Sequence, residues 1–335
     1  MKTSKVLGRL AIAGATLLLV GAFAVPSMAA KYNLSAVSSW HAAQHNSGYL
    51  QWYVDTVNKL AEEKYPGELK ITYKGGPEIV GPTEQLKACG DGVLDIIITA
   101  AAYSTSIIPA LDGAAVSEFK PWEEREIGAY DYVEGLLQKK ANVHLLGRAG
   151  GGFYFQIYTN KEIKTMADFK NFKVRTSPTL IPFMKEIGAA PVLMPHSEIY
   201  TALERGVIEG FIFPQGDLEG SGMDHIVKYA LYPVIPYEGI DYVMINLDKY
   251  NSLPKHLQEI LDQVGKDVEH YAYEQADKLI AEEFPVALEE YGITRLDMDP
   301  AEAEKFKAEA VRVLWSVVNG KAPEDGPAFQ KLINK

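Results

Sequence analysis

The stretch Lys173–Gln215, KVRTSPTLIPFMKEIGAAPVLMPHSEIYTALERGVIEGFIFPQ, places one arginine, Arg175, at the end of a short β-type run. Farther on, Ser197 to Arg205 reads as a helix that stops at Gly206, and Val207 to Phe213 reads as a strand. An arginine at a strand end faces whatever lies over the sheet edge. Its planar fork suits a carboxylate gripped by two parallel hydrogen bonds. The segment therefore predicts an acid-binding site on an α/β scaffold. A surface arginine in a structural ion pair is the competing reading.

Upstream, Glu84–Asp95 (EQLKACGDGVLD) echoes Glu198–Glu209 (EIYTALERGVIE), about 114 residues apart. Each has a glutamate, eight residues to a glycine, then Val-(Leu/Ile)-acid before an apolar run. Two ordinary helix–Gly–strand units would look like this, and so would two lobes built on one plan. The sequence leaves both open.

Elements alternate along the rest of the chain, as in α/β layers. Strands are predicted at Tyr32–Val37, Leu69–Tyr73, Val93–Thr99, Val143–Leu146 and Phe153–Thr159. Helices are predicted at His45–Lys64, from an N-cap at Thr83 to Cys89, and at Pro121–Lys140, Pro178–Ile187 and Ala301–Val318. A long helix is predicted from Asn251-Ser252-Leu253-Pro254 to Glu283. Tyr229–Ile245 is strand-like, interrupted by Pro233 and Pro236. The glycines between Gly147 and Gly152 lack dinucleotide-binding spacing and read as a turn or hinge.

Residues 1–29 stand apart. Lys2, Lys5 and Arg9 precede the apolar run Leu10–Val25, and Ser27-Met28-Ala29 has the small residues of a signal-peptidase site. Export and cleavage after about Ala29 are expected, with no stable membrane insertion afterwards. Those three cations are the segment's only charges, so their loss moves the formal charge from −11 to −14. Such an acidic chain is a poor partner for nucleic acid or anionic membranes. Any acid it binds must be attracted locally. The one cysteine, Cys89, allows no internal disulfide.

Catalytic signatures are missing: there is no HExxH, no Walker A loop and no GxSxG elbow. His41 and His45 are spaced for a metal but have no third ligand nearby, so no metal and no cofactor are expected. The side chains that suggest binding are Arg175, Tyr154, Phe155, Gln156, Phe213 and Gln215. Strand alternation sets Tyr154 and Gln156 on one face and Phe155 on the other, unless the strand end is irregular. Phe211 reads as core.

These residues carry a family resemblance. K-x-R, then G-A-x-P-V, then S-E-I-Y-x-A-L-E-x-G-V-I-E-G resembles the solute-binding proteins of tripartite ATP-independent periplasmic (TRAP) transporters, of the DctP type. Gly92-Val-Leu-Asp95 and Asn251-Ser-Leu-Pro254 extend the likeness over the mature chain. The resemblance implies an α/β, two-lobe periplasmic-binding-protein-like fold with a ligand cleft between the lobes, crossing hinge strands and a long helix in the C-terminal half. It implies lobe I at 30–152 plus about 239–278, and lobe II at 153–238 plus about 279–335. It also implies periplasmic capture of a small organic acid for a TRAP-type permease, with no catalysis.

By the same resemblance Arg175 falls where the family clamps a carboxylate, and Phe213 where relatives carry an asparagine or tryptophan. Phe155 falls near a second arginine of several relatives, absent here, for which Arg148 is a possible substitute. Ile212-Phe213 replaces the Glu-Trp of a cation-using, keto-acid-binding subgroup. A single clamp among phenylalanines predicts a monocarboxylate with an apolar or aromatic body. Tyr237, Trp40 and Tyr103 complete the expected ligand-binding set. An exported α/β enzyme, or a sensing module of a membrane receptor, is the alternative.

Overall fold

The computed structural model describes residues 30–334 other than 195–197, 216, 217, 219–222 and 224. The expected leader at 1–29 and the expected helix start at Ser197 lie outside the described residues. In chain order the strands are β1 (Tyr32–Ser38), β2 (Leu69–Gly75), β3 (Ile96–Ala100), β4 (Val143–Arg148), β5 (Tyr154–Thr159), β6 (Lys173–Arg175), β7 (Ala190–Val192), β8 (Gly210–Pro214), β9 (Tyr229–Glu238), β10 (Asp241–Asn246) and β11 (Thr294–Asp297). The α-helices are α1 (His45–Lys64), α2 (Gln85–Gly90), α3 (Pro121–Glu126), α4 (Ala129–Ala141), α5 (Ile181–Glu186), α6 (Ile199–Glu204), α7 (Leu247–Ser252), α8 (Lys255–Lys278), α9 (Phe284–Glu290), α10 (Pro300–Lys321) and α11 (Asp325–Ile333). None of the helices described is long and apolar enough to cross a membrane.

Two mixed sheets form the two lobes. The first has the order β2-β1-β3-β10-β4, the second β11-β9-β5-β8-β6-β7. The interior strands are apolar without alternation because helices cover both faces: Ile96, Ile97 and Ile98 of β3 are all fully buried. Helix α1 covers one face of the first sheet with Leu50, Val54, Val57 and Ala61, which recur at helical spacing.

Three crossings join the lobes. Two are the segments between β4 and β5 and between β9 and β10, which run side by side. Ala149 and Gly150 donate from their amides to the Asp241 carbonyl at 2.8 and 3.2 Å, and Gly239 donates to that of Phe153 at 3.0 Å. A Cβ on Gly150 would lie 2.4 Å from the Asp241 nitrogen, so only glycine lets the strands come this close. The third crossing is α8, which passes through a π-turn at Leu279–Glu283 into α9. Helix α8 touches β4 backbone to backbone, Gly265 facing Leu146 and Gly147.

Several elements differ from the sequence reading. The helix expected over Pro121–Lys140 is split at Gly128, which adopts φ +80° between α3 and α4. Thr83 caps nothing, because Pro82 starts a 3-10 turn and the Thr83 hydroxyl donates to Glu84. Tyr229–Ile245 is two strands in different sheets, parted at Gly239 and Ile240. The long helix does not end before Pro285: the π-turn at Leu279–Glu283 carries the chain on into α9, which contains Pro285. Helix α11, counted above with the second lobe, packs on α4 of the first through a Tyr132–Phe329 stack at 5.9 Å and a Lys140–Asp325 ion pair.

The echo noted in the sequence is structural. Helices α2 and α6 each have six residues and follow glutamates of nearly equal dihedrals, Glu84 (−97°, −15°) and Glu198 (−94°, −13°). Each ends in a left-handed glycine, Gly92 at φ +75° and Gly206 at φ +68°. Val93 and Leu94 donate to the Ala88 carbonyl as Val207 and Ile208 do to that of Ala202. The strands that follow, β3 and β8, run to the same cleft.

Under the first sheet, His144 bridges two carboxylates, Glu134 at 2.6 Å and Asp262 at 3.0 Å, and stacks on Tyr250 at 3.9 Å. Burial opposes its charge, but the bonds to Asp262 and Glu134 outweigh burial and push it up to about 9. A histidine raised above its unfolded value of about 6.5 stabilises fully below that value, and its contribution fades as pH rises through about 9. His144→Gln is therefore expected to lose on the order of 2–3 kcal/mol near pH 6 and little near pH 10. Urea denaturation of both proteins across this range measures it. A pH-independent difference would contradict the linkage.

Candidate functional site

A cavity of about 300 Å³ lies between the lobes, small for an organic-ligand site. It sits at the carboxyl ends of the parallel strands of both sheets, where open α/β sheets place their ligands. Trp40 follows β1, and Ala100–Tyr103 close β3. Arg175 ends β6, with Ser177 and Thr179 in the turn after it, and Ile212–Pro214 end β8. Phe153 and Phe155 come from the start of β5, Tyr237 and Glu238 from the end of β9, and Asp241 from the start of β10.

Arg175 is half-buried. Its guanidinium lies 5.4 Å from the centre of the Phe213 ring and reaches the carbonyls of Met194 and Ile212, both at a long 3.4 Å. Among the described residues it pairs with no carboxylate. Burial holds it below the usual arginine range, partly offset by the Tyr103 phenol. A desolvated cation with two marginal contacts has unused hydrogen-bonding capacity, which an anion entering the cleft would take up.

Phe213 packs edge-on against buried Phe211 at 5.6 Å, which fixes the ring under the guanidinium. Phe155 lines the cavity on the face opposite Gln156, as strand alternation predicts, and the register of β5 against β9 shifts on either side of it. Trp40 and Tyr103 lie 6.0 Å apart as the facing wall. Tyr103 stands near both Asp241 and Arg175: burial raises its phenol, Asp241 raises it further, and Arg175 lowers it. Tyr237 contributes ring surface, its hydroxyl donating to the Ala310 carbonyl at 2.5 Å. The cavity thus gathers Arg175, Phe213, Phe155, Tyr237, Trp40 and Tyr103 of the residues singled out in the sequence.

The other four lie outside its lining. Arg148 is 1% exposed and already paired with two carboxylates, donating to Glu124 at 2.5 Å and Glu238 at 2.7 Å. These carboxylates, from α3 and β9, neutralise it within the protein, so it does not stand in for a second clamp. Gln156 turns to the opposite face, donating to the Leu231 carbonyl and accepting from Gln215 at 3.3 Å. Tyr154 stands against Glu238 instead: burial and then that carboxylate push its phenol up to about 12.

Other lining residues went unread in the sequence. Asn46, at the start of α1, donates to Asp241 at 2.5 Å. Asp112 lies in the turn Pro109–Val116. Of the two histidines spaced for a metal, His45 lines the cavity and stacks on Phe153 at 6.0 Å, whereas His41 lies outside the lining, 3.8 Å from Glu78. Among the described residues no three His, Cys, Asp or Glu side chains gather for a metal ion.

The monocarboxylate 2-oxoacid-binding periplasmic protein all3028 of Nostoc sp. is 29% identical over 293 residues, 84% of this chain and 80% of that protein. The 2,3-diketo-L-gulonate-binding periplasmic protein YiaO of Escherichia coli is 24% identical, with 84% of each chain covered. In fold, the chain resembles DctP7, a Bordetella pertussis extracytoplasmic solute receptor that binds pyroglutamic acid: TM-score 0.75, 19% identity, 90% of this chain and 99% of that one covered. Residues 41–319 match the DctP model of bacterial extracellular solute-binding proteins, family 7, and the chain belongs to that family, the solute-binding proteins of TRAP transporters.

Proposed function

We propose that this protein captures a small monocarboxylate with an apolar or aromatic body in the cleft between its lobes. Arg175 holds the carboxylate, and Phe213, Phe155, Trp40, Tyr103 and Tyr237 enclose the body. The observation that carries the reading is Arg175 itself: half-buried, without a carboxylate partner among the described residues, and set over an aromatic ring inside the cavity. Relatives that bind a 2-oxoacid, a diketo sugar acid and pyroglutamic acid support a carboxylate. The phenylalanines favour an apolar body, since a buried polar group left unpaired costs about 1–3 kcal/mol.

The protein would work outside the cytoplasm once residues 1–29 are removed, and would hand its ligand to a TRAP-type permease. Lobe I would comprise 30–152 and about 239–278, and lobe II the remainder, with α11 reaching back to lobe I. The ligand would close the lobes by binding the closed arrangement more tightly. Thermal-shift screening against a carboxylate panel tests the reading. A ligand at 100 times its dissociation constant stabilises the fold by about 2.7 kcal/mol. Apolar and aromatic monocarboxylates should raise the melting temperature most. A panel in which only dicarboxylates do so would sink the apolar-body assignment.

A further inference from the structure

The cavity holds a second charge that the proposed clamp leaves unexplained. Asp112 belongs to its wall, in the turn Pro109–Val116. It is half-buried, and among the described residues its carboxyl has no hydrogen-bond or ion-pair partner. The other two acids of the wall are engaged: Glu238 accepts from Arg148 at 2.7 Å and from the Tyr273 hydroxyl at 3.1 Å, and Asp241 accepts from Asn46. Asp112 and Arg175 come from different parts of the wall: Arg175 ends β6, whereas the turn that carries Asp112 packs through Gly113 on Trp315 of α10. The cavity is thus bipolar, with a cation short of an anion in one place and an acceptor short of a donor in another.

We propose, building on the carboxylate reading above, that Asp112 is the second anchor of the ligand and accepts a hydrogen bond from a hydroxyl or ammonium group. The ligand class is then a donor-bearing monocarboxylate, a hydroxy acid or an amino acid, rather than a plain acid. A buried acceptor discriminates strongly, because an analogue lacking the donor leaves it unpaired. Burial pushes the Asp112 carboxyl up to about 6, with Lys321 opposing weakly, so near neutral pH it is mostly ionised and accepts.

Matched trios on one carbon skeleton test this by calorimetry: lactate, alanine and propanoate; 2-hydroxyisocaproate, leucine and isocaproate; phenyllactate, phenylalanine and 3-phenylpropanoate. In at least one trio the hydroxy or the amino member should bind at least tenfold more tightly than the plain acid. Which of the two does so identifies the donor. Asp112→Leu, which keeps the bulk and removes the acceptor, should bring the three members of that trio to within threefold of one another. Should it fail to fold, Asp112→Ala and the selectivity of the unaltered protein serve instead. Plain acids binding within threefold of their donor-bearing counterparts would overturn the proposal, and so would a variant that weakens all three members equally. If none of the nine binds while other carboxylates raise the melting temperature, the donor-bearing class is wrong and the carboxylate reading survives. If no carboxylate binds at all, both fall.

Discussion

Arg175→Ala is expected to weaken carboxylate binding on the order of 100-fold or more, with little change in the melting temperature of the empty protein. Truncating one partner of a buried, hydrogen-bonded charge pair costs about 2–5 kcal/mol, and each 1.4 kcal/mol is about tenfold in affinity. The unliganded fold loses little in exchange. Arg175 makes only two contacts at the outer limit of hydrogen-bonding distance and has no carboxylate partner among the described residues. Its cation is partly desolvated and only weakly compensated, so alanine relieves a cost as well as removing packing against Phe213. Arg175→Lys should fall between the two, because an ammonium keeps the charge but not the two-pronged fit. Calorimetry with the best ligand of the panel checks this. An alanine variant that binds within threefold of the unaltered protein would move the carboxylate to another part of the cleft.

Gly265→Ala should destabilise the fold by about 3 kcal/mol, against the direction helix propensity alone would give. Alanine in a helix interior is worth about 1 kcal/mol over glycine. That gain is outweighed because a Cβ at Gly265 would lie 2.0 Å from the Leu146 carbonyl oxygen and 2.7 Å from its carbon. Both are backbone atoms of β4, so no side chain can swing aside, and overpacking typically costs 1–3 kcal/mol or more. Gly135, on the exposed side of α4, is the internal control. Nothing lies within 4 Å of its Cβ position, and Gly135→Ala should stabilise by about 0.5–1 kcal/mol. Urea midpoints of the two variants should move in opposite directions. A Gly265→Ala protein as stable as the original would mean that α8 and β4 are not in backbone contact.

Most of the fold was legible because its signals are local. Helix α1 has the bounds its periodicity predicts, and the long helix and the strand runs of the first sheet appear where composition places them. The misreadings come from places where tertiary structure decides. Tyr229–Ile245 reads as one strand-like stretch interrupted by prolines, and its pairing to two different sheets divides it at Gly239. Arg148 and Arg175 both end strands, and nothing near them in sequence says that Glu124 and Glu238 will neutralise one and leave the other unpaired by any described carboxylate. Phe213 and Phe155 were readable as strand-end aromatics. Asn46, Asp112 and Asp241 come from a helix start, a 3-10 turn and a strand start that meet only in the folded chain.

The glycine contact that fastens α8 to β4 also bears on entropy. Since α8 is held to the first sheet, and α9 buries Phe284 and Leu288 in the core of the second, the helical connection has only Leu279–Glu283 in which to flex. The remaining freedom is in the two paired crossings, whose glycines hold them backbone to backbone. Fixing one residue's backbone costs about 1–2 kcal/mol, so a joint with few soft torsions surrenders little disorder when its lobes come together. Affinity in such a cleft would then reflect the fit between ligand and wall, undiluted by the ordering of a loose hinge.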